Sequence, residues 1–170
     1  MRKLNKDAFI CFVDFKKAFD SISREKMFEI LKLYGIPDKI ISAIKALYVS
    51  TKAKVISTDG DSEIFDILAG VLQGDTLAPF LFIIVLDYAL RISVDLSNDK
   101  GIKIKAPQRT RNSGLFLTDL DFADDLALVA ESIQNLEDLL HSLETSASQA
   151  GLYCNQLFWK YSPSNLIKRY

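Results

Sequence analysis

The stretch LTDLDFADDLALVA, residues 117–130, places four aspartates within seven positions of an otherwise apolar run. They are Asp119, Asp121, Asp124 and Asp125. Like charges this close together oppose folding unless a cation lies among them. Apolar runs on both sides of Phe-Ala-Asp-Asp are typical of two strands joined by a tight turn. We therefore predict a β-hairpin whose turn presents carboxylates.

Strands and helices are predicted to alternate on both sides of this hairpin. Apolar runs rich in β-forming residues predict strands, and apolar spacing at three and four positions predicts helices. Ser23 is a predicted helix N-cap, Gly35 and Gly151 are predicted helix ends, and Thr76 is a predicted cap of a long apolar helix. Predicted strands cover residues 8–13, 52–58, 63–68, 115–120 and 126–130; predicted helices cover 23–34, 38–49, 77–93 and 133–150. The pattern predicts an α+β fold, an antiparallel sheet with helices packed on one face.

Composition limits the possible functions. The 170 residues are 49% hydrophobic and 25% charged, which is typical of a globular domain. The net charge of -1 argues against a free-standing nucleic-acid-binding domain, which would usually be basic. The charge is uneven, however: residues 1–60 carry twelve Lys and Arg against seven acids, and residues 116–150 carry eight acids and no Lys or Arg. Acids beside basic flanks would suit metal ions held next to a polyanion.

Cysteine and histidine usage excludes several kinds of site. Cys11 and Cys154 are too few for a disulfide framework and predict buried thiols in a reducing, intracellular compartment, in the cytoplasm or nucleus. His141 is the only histidine, so a His-rich metal site or a Ser-His-Asp triad is poorly supported. We expect no signal peptide and no membrane association, because the apolar run of residues 80–86 is too short to span a bilayer.

Three aspartates are candidates for a metal site. Asp14 ends the predicted strand of residues 8–13; if that strand lies beside the hairpin, its carboxylate approaches Asp124 and Asp125. Oxygen ligands without histidine favour Mg²⁺ or Mn²⁺ over Zn²⁺. Two such ions support in-line phosphoryl displacement, as in polymerases and nucleases. Alone, the Asp124-Asp125 pair would be interpreted as turn or surface aspartates, and Asp119 and Asp121 have no assigned role.

Three blocks carry a family resemblance. They are FVDFKKAFD (residues 12–20), AGVLQGDTLAPFLF (69–82) and LDFADDLAL (120–128). In order and spacing they resemble motifs A, B and C of the reverse transcriptase domain of LINE-type (non-LTR) retrotransposons. The resemblance extends over about residues 9–155, and it implies a polymerase palm with a partial fingers hairpin between the first two blocks.

The resemblance implies which residues hold two Mg²⁺ or Mn²⁺ ions. Asp14 matches the first metal-binding aspartate, and Phe15 matches the residue that offers a backbone carbonyl. Asp124 and Asp125 match the aspartate pair of motif C, in which Phe122 replaces the more frequent tyrosine.

The resemblance also implies a nucleotide-binding set. Ala18 and Phe19 match nucleotide-binding positions, and Phe19 matches the aromatic residue that excludes a 2′-hydroxyl and so selects deoxynucleotides. Gln73 and Gly74 match the loop that contacts the incoming nucleotide and the template, and Pro79 matches the proline that follows. Without the three blocks, Phe19 would be interpreted as a core residue and Gln73-Gly74 as an ordinary loop.

The pattern breaks after Asn155. Phe158 stands where the family has a lysine that can protonate the leaving pyrophosphate, and the following residues resemble nothing in the family. We therefore divide the chain into a palm with partial fingers, residues 1–155, and a divergent tail, residues 156–170. We also expect the N-terminal finger motifs and the thumb to be missing.

The resulting prediction is a fragment of an RNA-directed DNA polymerase. Its partners would be an RNA template, a DNA primer and a dNTP, and the reaction would be nucleotidyl transfer to the primer 3′-hydroxyl. Whether the chain is an active enzyme stays open. The alternatives are a catalytically inactive palm remnant that serves as a nucleic-acid interaction module, and a two-metal nuclease. The nuclease is disfavoured because it needs no nucleotide-selecting loop.

Overall fold

The computed structural model describes residues 8–95, 99–104 and 115–162, and the elements below belong to these segments. The predicted tail, residues 156–170, lies partly outside them. In chain order the elements are β1 (Ala8–Phe15), α1 (Ala18–Ser21), α2 (Arg24–Leu33), α3 (Asp38–Tyr48), β2 (Lys52–Ala53), β3 (Phe65–Asp66), α4 (Ala78–Asp95), β4 (Ile102–Ile104), β5 (Leu115–Leu117), β6 (Asp119–Phe122), β7 (Asp125–Ala130), α5 (Ile133–Gln149) and β8 (Cys154–Ser162).

The central sheet has four strands in the order β6-β7-β1-β8. Neighbouring strands are antiparallel, and the first strand of the chain, β1, lies between β7 and β8. Phe9 is opposite Ala130 and Val13 is opposite Leu126, so the hairpin of β6 and β7 is placed directly beside β1. The predicted antiparallel α+β architecture is confirmed.

The two faces of the sheet differ in burial. In β1, Cys11, Val13 and Phe15 are buried, whereas Phe12 and Asp14 between them are exposed. This alternation is what a strand produces when only one face is covered. Helices α4 and α5 pack against each other, and α5 contacts β1 and β7, so the helices cover the face that carries Cys11. The opposite face, with Asp14, is open.

Helix ends follow the local sequence signals. The Ser23 hydroxyl accepts a hydrogen bond from the backbone N–H of Lys26 at 3.4 Å, which satisfies one of the unpaired donors at the start of α2. Pro37 occupies the N-cap of α3, where its missing N–H costs nothing. After α5 the chain reverses through Gly151, whose φ of +87° is easily reached by glycine.

Four predictions about individual elements were wrong in detail. The fingers strands are shorter than predicted, since β2 and β3 have two residues each. The predicted strand of residues 115–120 is divided: β5 pairs with β4, and β6 pairs with β7. At the start of α4 the side chain that accepts a hydrogen bond is Asp75, which bonds to Leu77 N–H at 3.1 Å, and not Thr76.

The last strand of the central sheet crosses the predicted boundary between the palm and the tail. Strand β8 pairs with β1 up to Ser162 opposite Ala8, so the predicted boundary at residue 155 falls inside a strand of the central sheet.

Within residues 8–95, 99–104 and 115–162, each helix is too short or too polar to cross a lipid bilayer.

Candidate active site

The hairpin turn presents the aspartate pair at one end of the sheet. Phe122 and Asp125 form the last cross-strand pair, so Ala123 and Asp124 are the two turn residues. Ala123 has a φ of +57° and Asp124 does not have a positive φ, the combination found in type II′ hairpin turns. The turn places Asp124 at the tip and Asp125 at the start of β7, and both residues are exposed.

Asp14 lies beside Asp125 on the open face. The pairing of β1 with β7 includes Val13 opposite Leu126, and the next residues along the two strands are Asp14 and Asp125. Val13 and Leu126 are buried under the helices. Because successive side chains of a strand alternate between faces, Asp14 and Asp125 both point to the opposite, open face. Residues 111 positions apart in sequence are therefore brought together by the sheet.

Asp119 and Asp121 belong to the other face of the hairpin. They are opposite Leu128 and Leu126, and directly opposed residues of antiparallel strands share a face. Asp119 also accepts a hydrogen bond from the Thr118 hydroxyl at 2.5 Å. Of the four clustered aspartates, Asp125 thus points to the open face, Asp124 lies in the turn, and the side chains of these two extend from the opposite face of the hairpin.

Asn155 contacts Asp14 directly and was not among the predicted site residues. Its side-chain Nδ2 donates a hydrogen bond to Asp14 Oδ2 at 3.1 Å. The pairing of β1 with β8 shifts register between Val13 and Phe15, a β-bulge that lies next to Asp14. The sequence signal was present, since Asn155 is the last residue of the region that resembles the family, but sequence alone did not show its partner.

Two depressions flank Asp14. The larger, about 660 Å³, lies along β1, β6 and β7 and combines carboxylates with apolar residues; it is lined by Phe12, Val13, Asp14, Leu120, Asp121, Phe122, Asp125, Leu126 and Ala127. The smaller, about 500 Å³, contains two lysines; it is lined by Lys16, Lys17, Asp20, Ser21, Tyr153 and Asn155. Asp14 lines the larger depression and its hydrogen-bond partner Asn155 lines the smaller, so the carboxylates of the site and the two lysines lie in neighbouring depressions.

The donor chemistry of this end of the sheet suits a hard divalent cation. Asp14 and Asp125 offer exposed carboxylate oxygens on neighbouring strands, the ligand type that Mg²⁺ and Mn²⁺ prefer. Among the described residues, however, no three His, Cys, Asp or Glu side chains lie close enough to form a metal-binding group. Asp14, Asp124 and Asp125 thus share one end of the sheet without closing into a three-ligand cluster.

The segment after Asp14 carries the other predicted nucleotide-binding residues of the first block. Phe15 and Ala18 are buried in the core, so their side chains face away from solvent. The half-buried Phe19 ring stacks on Phe82 of α4, with ring centroids 4.7 Å apart and planes inclined by 19°. The stacking fixes the orientation of the ring and makes Phe19 part of the packing between α1 and α4.

The second block forms a loop that is hydrogen-bonded to the first. Val71 N–H donates to Phe19 O at 2.7 Å, and Gly70 N–H donates to Ile22 O at 2.8 Å. Gln73 and Gly74 follow on the exposed part of the loop, and Gly74 has a φ of +89°. The structure therefore brings the loop of Gln73 and Gly74 next to α1, within the same unit as Asp14.

Two glycines allow the backbone to pack closely around the end of α1. A Cβ on Gly70 would lie 2.6 Å from backbone atoms of Asp20, and a Cβ on Gly151 would lie 2.6 Å from Ser21 O. The Ser23 N–H also donates to Ala150 O at 2.9 Å. The chain from Asp20 to Ser23 is thus held between the second block and the end of α5.

Comparison with known families agrees with this arrangement. The sequence model of the family described as "Reverse transcriptase (RNA-dependent DNA polymerase)" matches residues 1–157. The chain is 32% identical over 151 residues to the Retrovirus-related Pol polyprotein from the type-2 retrotransposable element R2DM of Drosophila melanogaster, a match that covers 88% of this chain and 13% of that protein. It is 30% identical over 147 residues to the corresponding type-1 R2 polyprotein of Nasonia vitripennis, with 86% and 13% covered. The chain therefore spans only a small part of these relatives.

Solved structures with the same fold come from telomerase. The structure of apo telomerase from Candida tropicalis truncated from its C-terminal domain aligns with a TM-score of 0.63 at 12% identity, over 92% of this chain and 31% of that chain. The telomerase of the same organism in complex with the TWJ fragment of telomeric RNA aligns with a TM-score of 0.62 at 14% identity, over 92% and 26%. These similarities establish the fold, and the family match together with the R2 relatives shows that this chain belongs to the reverse transcriptase family, as a domain of the non-LTR retrotransposon type.

Proposed function

We propose that the chain contributes the metal-binding part of an RNA-directed DNA polymerase, which adds dNTPs to a DNA primer on an RNA template. The observation that carries the proposal is the position of Asp14 beside Asp125 on the open face of the sheet, with Asp124 at the adjoining turn. Family membership favours this function over the inactive remnant and over the nuclease. The relatives are much longer, so activity, substrates and partners are proposed here for this domain.

Asp14, Asp124 and Asp125 would hold Mg²⁺ or Mn²⁺, in the two-ion arrangement of polymerases. When bound there, the ions would supply Lewis-acid activation of the attacking 3′-hydroxyl and neutralise charge on the leaving phosphate. The protein's own contribution is to place carboxylates from two strands at one end of a rigid sheet. Asn155, through its hydrogen bond, holds the Asp14 carboxylate while the other carboxylate oxygen stays available.

The remaining predicted residues would orient the nucleotide. The stacked Phe19 ring would exclude a 2′-hydroxyl by its bulk, and Gly74 would let the backbone approach a base closely. The lysines of the smaller depression, which Asn155 also lines, would attract the phosphates of a nucleotide. The backbone of Phe158 is paired with Phe12 in the central sheet, and no proton donor is assigned at that position.

The test is extension of a DNA primer on an RNA template by this chain, with Mg²⁺ or Mn²⁺. Asp124→Asn is the blank, and Asp119→Asn, a change of the same kind on the opposite face, is the matched control. We expect extension by the unaltered chain and by Asp119→Asn, and its loss in Asp124→Asn. Binding of a primer–template duplex without any extension would instead support the inactive interaction module. Cleavage of single strands without added nucleotide would support the nuclease.

A further inference from the structure

Arg24, the first residue of α2, donates hydrogen bonds to acceptors in two other parts of the chain. Its Nε donates to Gly70 O at 2.9 Å and its Nη2 donates to Ala69 O at 3.3 Å. Its Nη1 donates to Tyr48 O at 3.1 Å and to Thr51 Oγ1 at 2.9 Å. One guanidinium thus joins the second block to the end of α3 and the start of the fingers hairpin.

Thr51 extends this connection across the hairpin. Its hydroxyl donates to Ile67 O at 2.9 Å, and Ile67 N–H donates to Thr51 O at 2.8 Å. Thr51, just before β2, therefore binds Arg24 directly, and Ile67, just after β3, is linked to Arg24 through the Thr51 hydroxyl. A movement of the hairpin would be transmitted to the carbonyls of Ala69 and Gly70.

Tyr48 completes the support beneath the second block. The Arg24 guanidinium carbon lies 5.0 Å from the centroid of the Tyr48 ring, a cation–π contact. The Tyr48 hydroxyl is buried and approaches the Leu72 backbone, but it makes no well-formed hydrogen bond with any described residue. Burial raises the pKa of Tyr48 and lowers the pKa of Arg24. The tyrosine therefore stays neutral while its ring packs against the guanidinium under the loop.

Only an arginine can make this set of bonds. The planar guanidinium offers five donors in a fixed fork, so it reaches carbonyls on opposite sides at once. A lysine would keep the charge, but its donors share one nitrogen and cannot span the same acceptors. The contacts are also long-range, because Gly70 is 46 positions from Arg24 and Tyr48 is 24 positions away.

We propose that Arg24 is a positioning residue for the loop of Gln73 and Gly74, through which the fingers hairpin and the nucleotide-contacting loop are held as one unit. Two neighbouring anchors hold the chain just before Gln73: Arg24 binds the carbonyls of Ala69 and Gly70, and Val71 N–H binds Phe19 O. That the loop of Gln73 and Gly74 contacts a nucleotide rests on the proposed function. Arg24 itself need not contact substrate.

The deciding experiment compares Arg24→Lys with Arg91→Lys. Arg91 is an exposed arginine of α4 that pairs with Asp87 at 2.7 Å, so its replacement is the same chemical change away from the loop. In primer extension, we expect Arg24→Lys to raise the KM for dNTP about tenfold, with kcat changed less than about twofold. Arg91→Lys should leave both parameters unchanged. Equal loss in both variants, or a loss in kcat alone, would overturn the proposal.

A second measurement does not depend on catalysis. Amide hydrogen exchange over residues 70–76 should be about tenfold faster in Arg24→Lys than in the unaltered chain, and unchanged in Arg91→Lys. Unchanged exchange in Arg24→Lys would overturn the positioning role even if the enzyme were inactive for another reason. If the unaltered chain incorporates no dNTP, the proposed function fails, and the exchange rates alone decide the role of Arg24.

Variants of Thr51 keep the proposal testable if Arg24→Lys does not fold. Thr51→Val removes the acceptor for Arg24 Nη1 and the donor to Ile67 O, whereas Thr51→Ser retains both. We expect faster exchange at the hydrogen-bonded amides of Gly70 and Val71, which lead into the loop, in the valine variant and recovery in the serine variant. Equal exchange in the two variants would contradict a link between hairpin and loop.

Discussion

Asn155 Nδ2 donates a hydrogen bond to Asp14 Oδ2 across 3.1 Å, although the two residues are 141 positions apart in sequence. A neutral amide is well suited to this place, because it offers a donor to the carboxylate without adding charge to a site that already holds Asp125. The bulge between Val13 and Phe15 is what brings β8 into the required register. The first aspartate of the site is thus oriented by the last strand of the sheet.

Asn155→Asp should destabilise the folded chain through repulsion. The new carboxylate would face Asp14, and we expect a loss of about 0.5–1 kcal/mol in low-salt, metal-free buffer, recovered on adding Mg²⁺ or 0.5 M salt as a test condition. Urea denaturation in the three buffers measures this. Asn155→Ala is the control: it loses a hydrogen bond but should show no such dependence on salt. Identical salt profiles for the two variants would contradict the contact with Asp14.

Asp14→Asn should stabilise the chain when metal is absent. Like charges on neighbouring strands are destabilising, so removing one should add about 0.2–1 kcal/mol to the free energy of unfolding. The same change should weaken Mn²⁺ binding, measured by electron paramagnetic resonance. Asp119→Asn, on the opposite face, should leave Mn²⁺ binding unchanged. Equal Mn²⁺ affinity in the two variants would remove Asp14 from the proposed site.

Gly70→Ala should cost more stability than Gly74→Ala. Both glycines have positive φ, +77° and +89°, which costs an alanine about 1 kcal/mol. A Cβ on Gly70 also collides with the Asp20 backbone at 2.6 Å, whereas a Cβ on Gly74 meets nothing within 4 Å. Overpacking adds about 1–3 kcal/mol for Gly70 alone. Thermal and urea unfolding of the two variants would show the difference, and equal losses would mean that the close contact relaxes freely.

Ala123→Gly should stabilise the hairpin. Ala123 occupies a left-handed conformation, φ +57°, between Phe122 and Asp124. Relief of that strain exceeds the entropy lost by glycine, and we expect a gain of up to about 1 kcal/mol. Ala127→Gly, in strand β7 of the same hairpin, is the control and should lose about 0.5–1 kcal/mol. A loss in both variants would indicate that the turn is not strained.

Stability should fall as pH rises from about 9 to 11. Burial, with a smaller contribution from Glu144, raises the pKa of the Cys11 thiol from 9.0 to about 11, and the pKa of Cys154 is raised to about 11 in the same way. Over this interval the unfolded chain loses thiol protons that the folded chain retains, so the unfolded state gains relative stability. Urea denaturation at several pH values measures the slope. The Cys11→Ala and Cys154→Ala variants should fall less steeply; unchanged slopes would show that these thiols do not titrate as described.

Local signals predicted the elements whose ends depend on a few adjacent residues. Ser23 and Gly151 marked helix ends correctly, because a cap bonds within three residues and a positive φ is a property of one residue. The turn at Asp124 was likewise readable from the apolar runs around it. The strands of residues 52–58 and 63–68 were predicted too long, because only Lys52–Asp66 and Ala53–Phe65 form ladder pairs and the rest of the hairpin is joined by separate contacts, such as Ser62 N–H to Val55 O at 2.9 Å.

Sequence identified the aspartate pair and the blocks that place this chain among reverse transcriptases, since residue type and spacing along the chain are sufficient for both. Tertiary structure was needed to place Asp14 beside Asp125, to put Asp119 and Asp121 on the opposite face, and to join Arg24 to the second block. Each of these relationships depends on strand register or on carbonyls that converge from distant segments. Register and convergence arise from packing of the whole core, which no short stretch of sequence encodes.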